Sequence, residues 1–284
     1  MADAPRFSIT TPAYNAADTL AETVESVLAQ TFDDWEQVIV DDGSTDATRE
    51  LADSYAARDP RIRVISQRNR GSGGAHNTAA RSARANLLVM LSADDLLLPQ
   101  HLERFDAFIT ANPGAGLYSC NGYHLYDDGH RELSRMHERW SDPAGCDTTD
   151  LLHACFYPIG AVYRREVFDA VGGFPEDLYA EDYVFFMLAL AHGFEHRYLD
   201  VPLAVHRRNT VQKSADAIRV READVVAIER VIATGLSSPD EVTVAQRVIR
   251  RHRLNIAVRS VLGGLLGQER SARLIDRLRG RHRA

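Results

Sequence analysis

The sequence predicts an α/β protein with a mixed, mostly parallel sheet flanked by helices, followed by a helical extension at the C-terminal end. Short apolar runs alternate with amphipathic segments through the first part of the chain, which is the pattern of βαβ units. The 284 residues are 45% hydrophobic and 26% charged, enough for one large domain with an appendage. From residue 215 onward the chain has helical character, which predicts the extension.

The first half of the chain predicts four buried strands, at residues 7–11, 35–40, 62–66 and 87–91. Helices follow the first three strands at residues 20–28, 44–57 and 75–83. The second helix is expected to begin at Ser44 or Thr45, because either side chain can cap it. Pro12 predicts that the first strand ends in a loop, since proline lacks the N–H group that sheet pairing requires.

The second half has a less regular order. Its predicted elements are a helix at residues 99–110, strands at 116–120 and 161–163, and helices at 165–171 and 181–192. Residues 121–150 are polar and predict a long surface loop, of the kind that often faces a substrate. Ser238 and Pro239, followed by two acids, predict a helix start. We therefore divide the chain into a main domain over residues 1–212 and an extension over residues 213–284.

Charge and cysteine content exclude several classes of protein. The net charge of −7 and the pI near 5.9 argue against a general nucleic-acid binder. Cys120, Cys146 and Cys155 lack the spacing of a zinc site or a disulfide framework and fit a reducing compartment. No apolar leader precedes the first strand, and the apolar stretch at residues 254–266 is short and interrupted by Arg259. The sequence thus predicts no signal peptide or membrane span, and a cytoplasmic location.

The extension is rich in arginine from residue 247 onward, and two interpretations of it stay open. Arginines beside short apolar stretches, such as residues 262–266, are suited to peripheral contact with an anionic membrane surface. Alternatively, the extension packs on the main domain or forms a homodimer with a second copy of the chain.

Two acidic pairs each follow a predicted strand. Asp41 and Asp42 follow the second strand, and Asp94 and Asp95 follow the fourth. Neighbouring ionised carboxylates repel each other unless a cation or a donor lies between them, and open α/β sheets bind ligands at the carboxyl ends of their strands. The first pair can bind a base, a ribose or a cation, or one member caps the next helix. The second pair suits Mg²⁺ or Mn²⁺ with the phosphates of a substrate.

Two further features suit a substrate that contains phosphates. The glycine-rich loop at residues 69–74 contains Arg70 and precedes a helix, which favours anions. Glu181 and Asp182 open an otherwise apolar helix. They either cap that helix or provide a general base, if burial raises the pKa of a carboxyl group toward neutrality.

In this order, the motifs resemble those of the family-2 glycosyltransferases. The matching positions are residues 8–15, 26–32, 40–46, 69, 71, 77, 91–95, 172–174 and 181–182. Together they cover roughly residues 6–210. The resemblance implies a GT-A fold, Rossmann-like, for residues 1–212, with a nucleotide-sugar-binding half at residues 6–98 and an acceptor-side half at residues 99–212.

The resemblance also implies roles for individual residues. The implied nucleotide-sugar-binding residues are Thr11, Pro12, Ala13, Tyr14, Asp41, Asp42, Arg70, Asn77 and Asp94. Asp95, with Asp94 beside it, is implied as the metal ligand, and Asp182, preceded by Glu181, as the catalytic base. Many family members carry an aspartate at the position of Ser92, so the acidic motif of this chain lacks its first carboxylate.

The function implied is metal-dependent, inverting transfer of a sugar from a nucleotide-diphosphate donor, with UDP favoured, to an acceptor hydroxyl. The cofactor is expected to be Mn²⁺ or Mg²⁺, and the acceptor a saccharide, a lipid-linked saccharide or a small molecule. One alternative is a catalytically weak sugar-nucleotide-binding partner or regulatory protein. A nucleotidyltransferase would need a glycine-rich basic loop after the first strand, and Pro12, Ala13 and Tyr14 do not supply one.

Overall fold

A computed structural model describes residues 4–134, 138, 140–142, 144–153, 159–208 and 217–266. Within these residues the chain forms one nine-stranded sheet with helices packed on both faces. The predicted α/β class is therefore confirmed. Cys155 and the arginines beyond residue 266 lie outside the described residues.

The strands are β1 Phe7–Ala13, β2 Trp35–Asp41, β3 Ile62–Ser66, β4 Leu87–Met90, β5 Leu96–Leu97, β6 Leu117–Tyr126, β7 Arg131–Leu133, β8 Val162–Arg164 and β9 His196–Arg208. The helices are α1 Leu20–Leu28, α2 Thr48–Ala56, α3 Gly71–Ser82, α4 His101–Ala111, α5 Thr148–His153, α6 Arg165–Val171, α7 Glu181–Ala191, α8 Ala217–Ala233 and α9 Pro239–Leu266.

The sheet runs in the order β3-β2-β1-β4-β8-β6-β9-β5, and β7 pairs with β6. The first four strands of this order are parallel to one another, as is β6 to β9. Strand β8 is antiparallel to both of its neighbours and joins the two halves. The carboxyl ends of β1, β2, β3 and β4 therefore meet at one edge, which we call the carboxyl edge.

Strand β4 illustrates how the sheet divides the core. Leu87 and Val89 contribute to a cluster with helices α1, α2 and α4. Leu88 and Met90 contribute to a second cluster, with residues of α3 and α5 to α9. This alternation is the period of two expected for a strand buried on both faces, and it makes β4 a near-continuous apolar run.

Pro12 does not end β1, contrary to our prediction. The strand continues to Ala13, and Pro12 pairs in register with Val40 of β2. The carbonyl of Thr10 accepts a hydrogen bond from the backbone N of Leu91, just past the end of β4. The backbone groups of alternate residues in a strand point to the same side, so the nitrogen of Pro12 faces the side of β4, as the carbonyl of Thr10 does. Strand β4 has already ended at this position, so the missing N–H of Pro12 costs no sheet pairing.

Helix α2 begins later than predicted, at Thr48. The backbone N of Thr45 donates to Asn15 Oδ1 at 2.8 Å, so this part of the chain is tied to the loop after β1. Asp46 Oδ1 accepts a hydrogen bond from the backbone N of Thr48 at 3.0 Å. The polar residues expected to cap the helix thus hold the carboxyl-edge loops together instead.

The prediction of one long loop over residues 121–150 was wrong. Strand β6 continues to Tyr126, β7 forms a hairpin with it, and α5 follows. Strand β9, which the sequence analysis did not find, pairs in parallel with β6 along most of its length. Its polar end at His206, Arg207 and Arg208 does not resemble a buried strand, yet pairing to β6 stabilises it there.

The described part of the extension is mostly helical, as predicted, and consists of α8 and α9 joined by a turn at residues 234–238. Ser238 and Glu241 form a reciprocal cap at the start of α9, with a distance of 2.7 Å from the backbone N of Ser238 to Glu241 Oε2. Val225, Ile228 and Val248 are buried in the cluster that also contains residues of α7, so the extension packs on the main domain. No helix within the described ranges is long and apolar enough to cross a membrane.

Candidate active site

Asp42 lies at the carboxyl edge, directly after β2. Its side chain is only 2% exposed. Its Oδ1 atom accepts hydrogen bonds from Gln67 Nε2 at 2.7 Å and from the backbone N of Arg70 at 2.9 Å. Both donors follow β3, so Asp42 holds the glycine-rich segment against the end of the sheet.

Asp41 has a different environment from Asp42. One carboxylate oxygen accepts from the backbone N of Ser44 at 3.1 Å, and the other accepts from Ser66 Oγ at 3.1 Å. Asp41 therefore fixes the loop after β2 and ties it to the end of β3. Asp41 and Asp42 are both buried, and neither side chain caps α2, which begins at Thr48.

The loop after β1 completes this part of the edge. Asn15 has a left-handed backbone, with φ of 48°, and its backbone N donates to Ser44 Oγ at 3.0 Å. Tyr14, just before it, is 51% exposed at the edge. Thr11 is buried, and its Oγ1 atom accepts a hydrogen bond from Gln37 Nε2 at 3.0 Å. An exposed aromatic ring thus lies beside a loop with fixed geometry.

Arg70 links the glycine-rich segment to the segment that follows α6. Its guanidinium forms a bidentate pair with Glu176, with distances of 2.6 and 3.1 Å. Asn77 holds the same segment, since it both donates to the carbonyl of Phe174 and accepts from the backbone N of Phe174, at 2.8 Å each. A second contact runs from Asn77 Nδ2 to Glu176 Oε1 at 3.2 Å. Asn77 therefore positions the loop that orients Arg70.

The glycine-rich segment is largely helical, in contrast to our prediction of a loop up to residue 74. Helix α3 begins at Gly71, and Gly73 and Gly74 lie in its first turn. A Cβ atom on Gly73 would lie 2.3 Å from the carbonyl oxygen of Pro175. The glycines are required here because the segment that carries Glu176 packs directly against the helix backbone.

We expect Gly73→Ala to destabilise the protein by about 1–3 kcal/mol, because the added methyl group overpacks this contact. In a helix without such a contact the same change would stabilise by up to about 1 kcal/mol. Urea unfolding of the wild type, of Gly73→Ala and of a control variant measures the free energies of unfolding. Gly114→Ala is the control, since a Cβ there meets no heavy atom within 4 Å. Equal stability of Gly73→Ala and the wild type would refute the close packing.

Asp95, just after β4, is also a buried carboxylate of this edge, 3% exposed. Its Oδ1 atom accepts a hydrogen bond from the backbone N of Arg207 at 3.0 Å. Burial raises the pKa of Asp95 well above its ordinary value, and the charge of Asp94 raises it further. The hydrogen bond from Arg207 and the charges of Arg207 and Arg208 act in the opposite direction. A neighbouring cation would therefore relieve an unfavourable buried charge.

Arg207 of β9 contacts the acidic pair. Its Nε atom donates to the carbonyl of Asp94 at 3.0 Å, and its Nη2 atom pairs with Glu22 of α1 at 2.7 Å. Strand β9 thus places a guanidinium group beside the acidic pair. His206, the residue before it, is half-buried, and desolvation lowers the pKa of its imidazole to about 3, with Arg208 and His124 acting in the same direction.

The donor set at Asp94 and Asp95 fits a hard divalent cation. Within the described ranges, no three His, Cys, Asp or Glu side chains converge on a metal position. A dedicated all-protein site is therefore not formed by these residues. Mg²⁺ and Mn²⁺ often use only one or two carboxylates and complete their coordination with water and substrate phosphates, so the pair is sufficient.

Glu181 and Asp182 open α7 as predicted. Glu181 is buried, whereas Asp182 is half-buried and accepts a hydrogen bond from the backbone N of Tyr183 at 2.8 Å. Helix α8 places Asp224 near Asp182. Burial raises the pKa of Asp224 to about 6, Arg221 lowers it, and the charge of Asp182 raises it. The extension therefore contributes a carboxyl group beside the predicted base.

The structure brings two pairs of the predicted residues together. Asp42 and Arg70 are in direct contact, and Asp94 and Asp95 share Arg207. The sequence analysis missed Gln67, Glu176 and Asp224. Gln67 directly follows a strand at the carboxyl edge, so the rule that selected the aspartates could have found it. Glu176 and Asp224 carry no local signal, because their roles depend on packing between distant segments.

Curated proteins similar to the chain have names that refer to sugar transfer. The chain is 32% identical over 217 residues to "Uncharacterized glycosyltransferase EpsJ" of Bacillus subtilis (strain 168), covering 72% of this chain and 62% of that protein. It is 46% identical over 99 residues to "Chondroitin synthase" of Escherichia coli, covering 35% of this chain and 14% of that protein. The chain thus spans less than two thirds of the length of these relatives.

Two solved structures share the fold. S. aureus TarS 1-349 in complex with UDP-GlcNAc has a TM-score of 0.72 and 21% identity, covering 92% of this chain and 76% of that chain. The second structure is mannosyltransferase PcManGT from Pyrobaculum calidifontis in complex with GDP-Man and Mn²⁺. It has a TM-score of 0.68 and 21% identity, covering 98% of this chain and 81% of that chain. At this identity the similarity concerns the fold.

The family model described as glycosyl transferase family 2 matches residues 8–172. This range is more than half of the 284 residues. It includes the carboxyl-edge carboxylates, the glycine-rich segment and the Gly172 turn. The chain therefore belongs to glycosyl transferase family 2, as its motifs had indicated.

Proposed function

We propose that this protein is an inverting, metal-dependent glycosyltransferase that moves a sugar from a nucleotide-diphosphate donor, with UDP favoured, to an acceptor hydroxyl. Family membership and the names of its relatives support sugar transfer. The titles of the similar structures name UDP-GlcNAc, GDP-Man and Mn²⁺ for those proteins. The catalytic domain is residues 1–212, acting in the cytoplasm on a saccharide, a lipid-linked saccharide or a small molecule.

The observation that carries the proposal is the buried carboxylate of Asp95 beside Asp94. Burying a carboxylate without full compensation is costly, and burial raises the pKa of Asp95 well above its ordinary value. Asp95 is nevertheless placed at the carboxyl edge, where open α/β sheets bind their ligands. This arrangement is accounted for if the residue acts on a cation and an anionic substrate.

The nucleotide part of the donor is assigned to the first half of the domain. Tyr14 offers an exposed ring for stacking. Asp42 offers a rigid acceptor for the N–H groups of a base, since Gln67 and the backbone of Arg70 fix its position. The Arg70 guanidinium is half-exposed and suited to a phosphate or a base oxygen.

Asp95 and Asp94 would hold the metal. A divalent cation bound there supplies Lewis-acid stabilisation of the charge on the departing diphosphate. In the transfer step, the Asp182 carboxylate takes the proton of the acceptor hydroxyl. The acceptor oxygen forms a bond to the anomeric carbon while the bond from that carbon to the diphosphate oxygen breaks, which inverts the configuration.

The proposal is tested with a panel of nucleotide sugars and Mn²⁺. At a hundredfold excess over Kd, we expect the correct donor to raise Tm by about 5–10 °C. Slow hydrolysis of the same donor, measured as release of the nucleoside diphosphate, would indicate transferase chemistry. Parallel measurements with UDP- and GDP-sugars identify the nucleotide base that the protein prefers. Donor binding without release or transfer to any acceptor would favour the sugar-nucleotide-binding alternative, and no stabilisation by any donor would refute the proposal.

A further inference from the structure

The C-terminal half of α9 exposes apolar side chains in a regular pattern. Leu254, Val258 and Val261 are 66%, 44% and 61% exposed. Their spacing of four and three residues places them on one face of the helix. Residues such as Val248 and Ile249 lie buried on its other side, against the domain. The exposed residues therefore form a continuous apolar stripe.

Arginines extend the same face toward the start of the helix. Arg250 lies four residues before Leu254, and Arg251 lies seven before Val258, so both are exposed beside the stripe. Residues 247–261 contain five arginines and no carboxylate. Arg253 pairs with Glu229 at 2.6 Å, but neither Arg250 nor Arg251 forms an ion pair with any described residue. We call the exposed residues of α9 from Arg247 to Val261 the basic face.

The chemistry of the basic face fits an interfacial helix. A helix that lies on a membrane has apolar side chains in the headgroup boundary and arginines that contact lipid phosphates. Arginine also gives bidentate hydrogen bonds to phosphate oxygens. In contrast, the net charge of the whole chain is −7, so the positive charge is concentrated locally. Charge complementarity thus selects an anionic surface as the occupant.

Two other occupants agree less well with the observations. In a symmetric dimer this face would meet the same face of a second copy, and the arginines would repel each other. A nucleic acid would use the arginines, but its phosphate backbone gives Leu254, Val258 and Val261 no apolar partner. An anionic lipid surface accounts for both the charged and the apolar residues.

We propose that the basic face of α9 binds the headgroup region of an anionic membrane. The protein then lies on the membrane surface without crossing it, held by arginine–phosphate contacts and by the apolar stripe. This proposal does not depend on the proposed catalytic function, because it concerns a face formed by the extension alone.

The test is flotation of the full chain with lipid vesicles, without donor or acceptor. One set of vesicles is phosphatidylcholine, and the other contains about one third phosphatidylglycerol. We expect binding only to the anionic set. At low salt, Arg250→Gln/Arg251→Gln should weaken binding to the anionic vesicles about 25-fold, because each arginine contributes about fivefold. Leu254→Gln/Val258→Gln should weaken it by about tenfold or more.

Controls carry matched changes elsewhere on exposed surface. Arg104→Gln/Arg131→Gln removes two exposed arginines, from α4 and β7, and Leu236→Gln changes an exposed leucine that precedes α9. Circular dichroism melting checks that all variants fold, and sedimentation velocity reports self-association. Equal binding to both vesicle sets, no binding to either, or weaker binding in the controls would overturn the proposal. If only the arginine pair weakened vesicle binding, the apolar stripe would have no part in it, and the proposal would be wrong. A dimer abolished by Leu254→Gln/Val258→Gln would indicate a second copy as the occupant and would also overturn the proposal.

Discussion

Asp182→Asn is expected to lower sugar transfer by about 10²–10⁴-fold, because general-base catalysis contributes an acceleration of that size. The amide keeps the shape of the side chain, and its oxygen can still accept the hydrogen bond from the backbone N of Tyr183. The amide cannot take the proton of the acceptor hydroxyl. Donor binding should therefore remain close to that of the wild type, and a steady-state assay with parallel calorimetry measures both quantities.

Two comparison variants sharpen this experiment. Asp169→Asn changes an exposed aspartate of α6 and should leave transfer unchanged. Glu181→Gln tests the neighbouring acid, which is buried at the start of α7, and should affect stability more than the chemical step. If Asp182→Asn retains full activity, the base lies elsewhere. If it loses donor binding together with activity, Asp182 binds the donor instead of acting as the base.

Asp95→Asn is expected to remove the metal-dependent part of donor binding, with a loss of at least about 10–100-fold in affinity. The asparagine oxygen can still accept from the backbone N of Arg207, so the change removes mainly the charge. Calorimetric titration of the donor with Mn²⁺, and again with EDTA, measures the effect. The wild type should lose affinity in EDTA, whereas the variant should be weak in both conditions.

A stability measurement separates loss of a ligand from loss of folding. Burial raises the pKa of Asp95, so the charged carboxylate destabilises the metal-free fold at neutral pH. Asp95→Asn should therefore melt at the same temperature as the wild type or higher when metal is absent. Asp34→Asn is the control, because Asp34 lies before β2, at the opposite edge of the sheet. This change should alter neither the melting temperature nor the donor affinity. Metal-dependent binding that persists in Asp95→Asn would contradict the assignment.

The main elements of the fold were predictable because their signals are local. Buried strands such as β2 and β4 are short apolar runs, and amphipathic helices such as α1 and α6 carry a period near 3.6. The errors occurred where tertiary contacts decide. Strand β9 and the end of β6 are polar, and each exists because the other pairs with it. Helix α3 extends into the glycine-rich segment, where a Cβ atom on Gly73 would clash with the backbone of Pro175.

For the site, chain order was sufficient to predict which carboxylates follow the strands, because the carboxyl-edge rule places Asp42 and Asp95 there. It also determined family membership through ordered motifs. Only the tertiary structure decided which neighbours surround those carboxylates. Glu176, Arg207 and Asp224 lie far along the chain from Arg70, Asp95 and Asp182, and no periodicity relates such pairs. Their proximity follows from packing between the domain halves and the extension, and packing sets burial, charge and proton affinity.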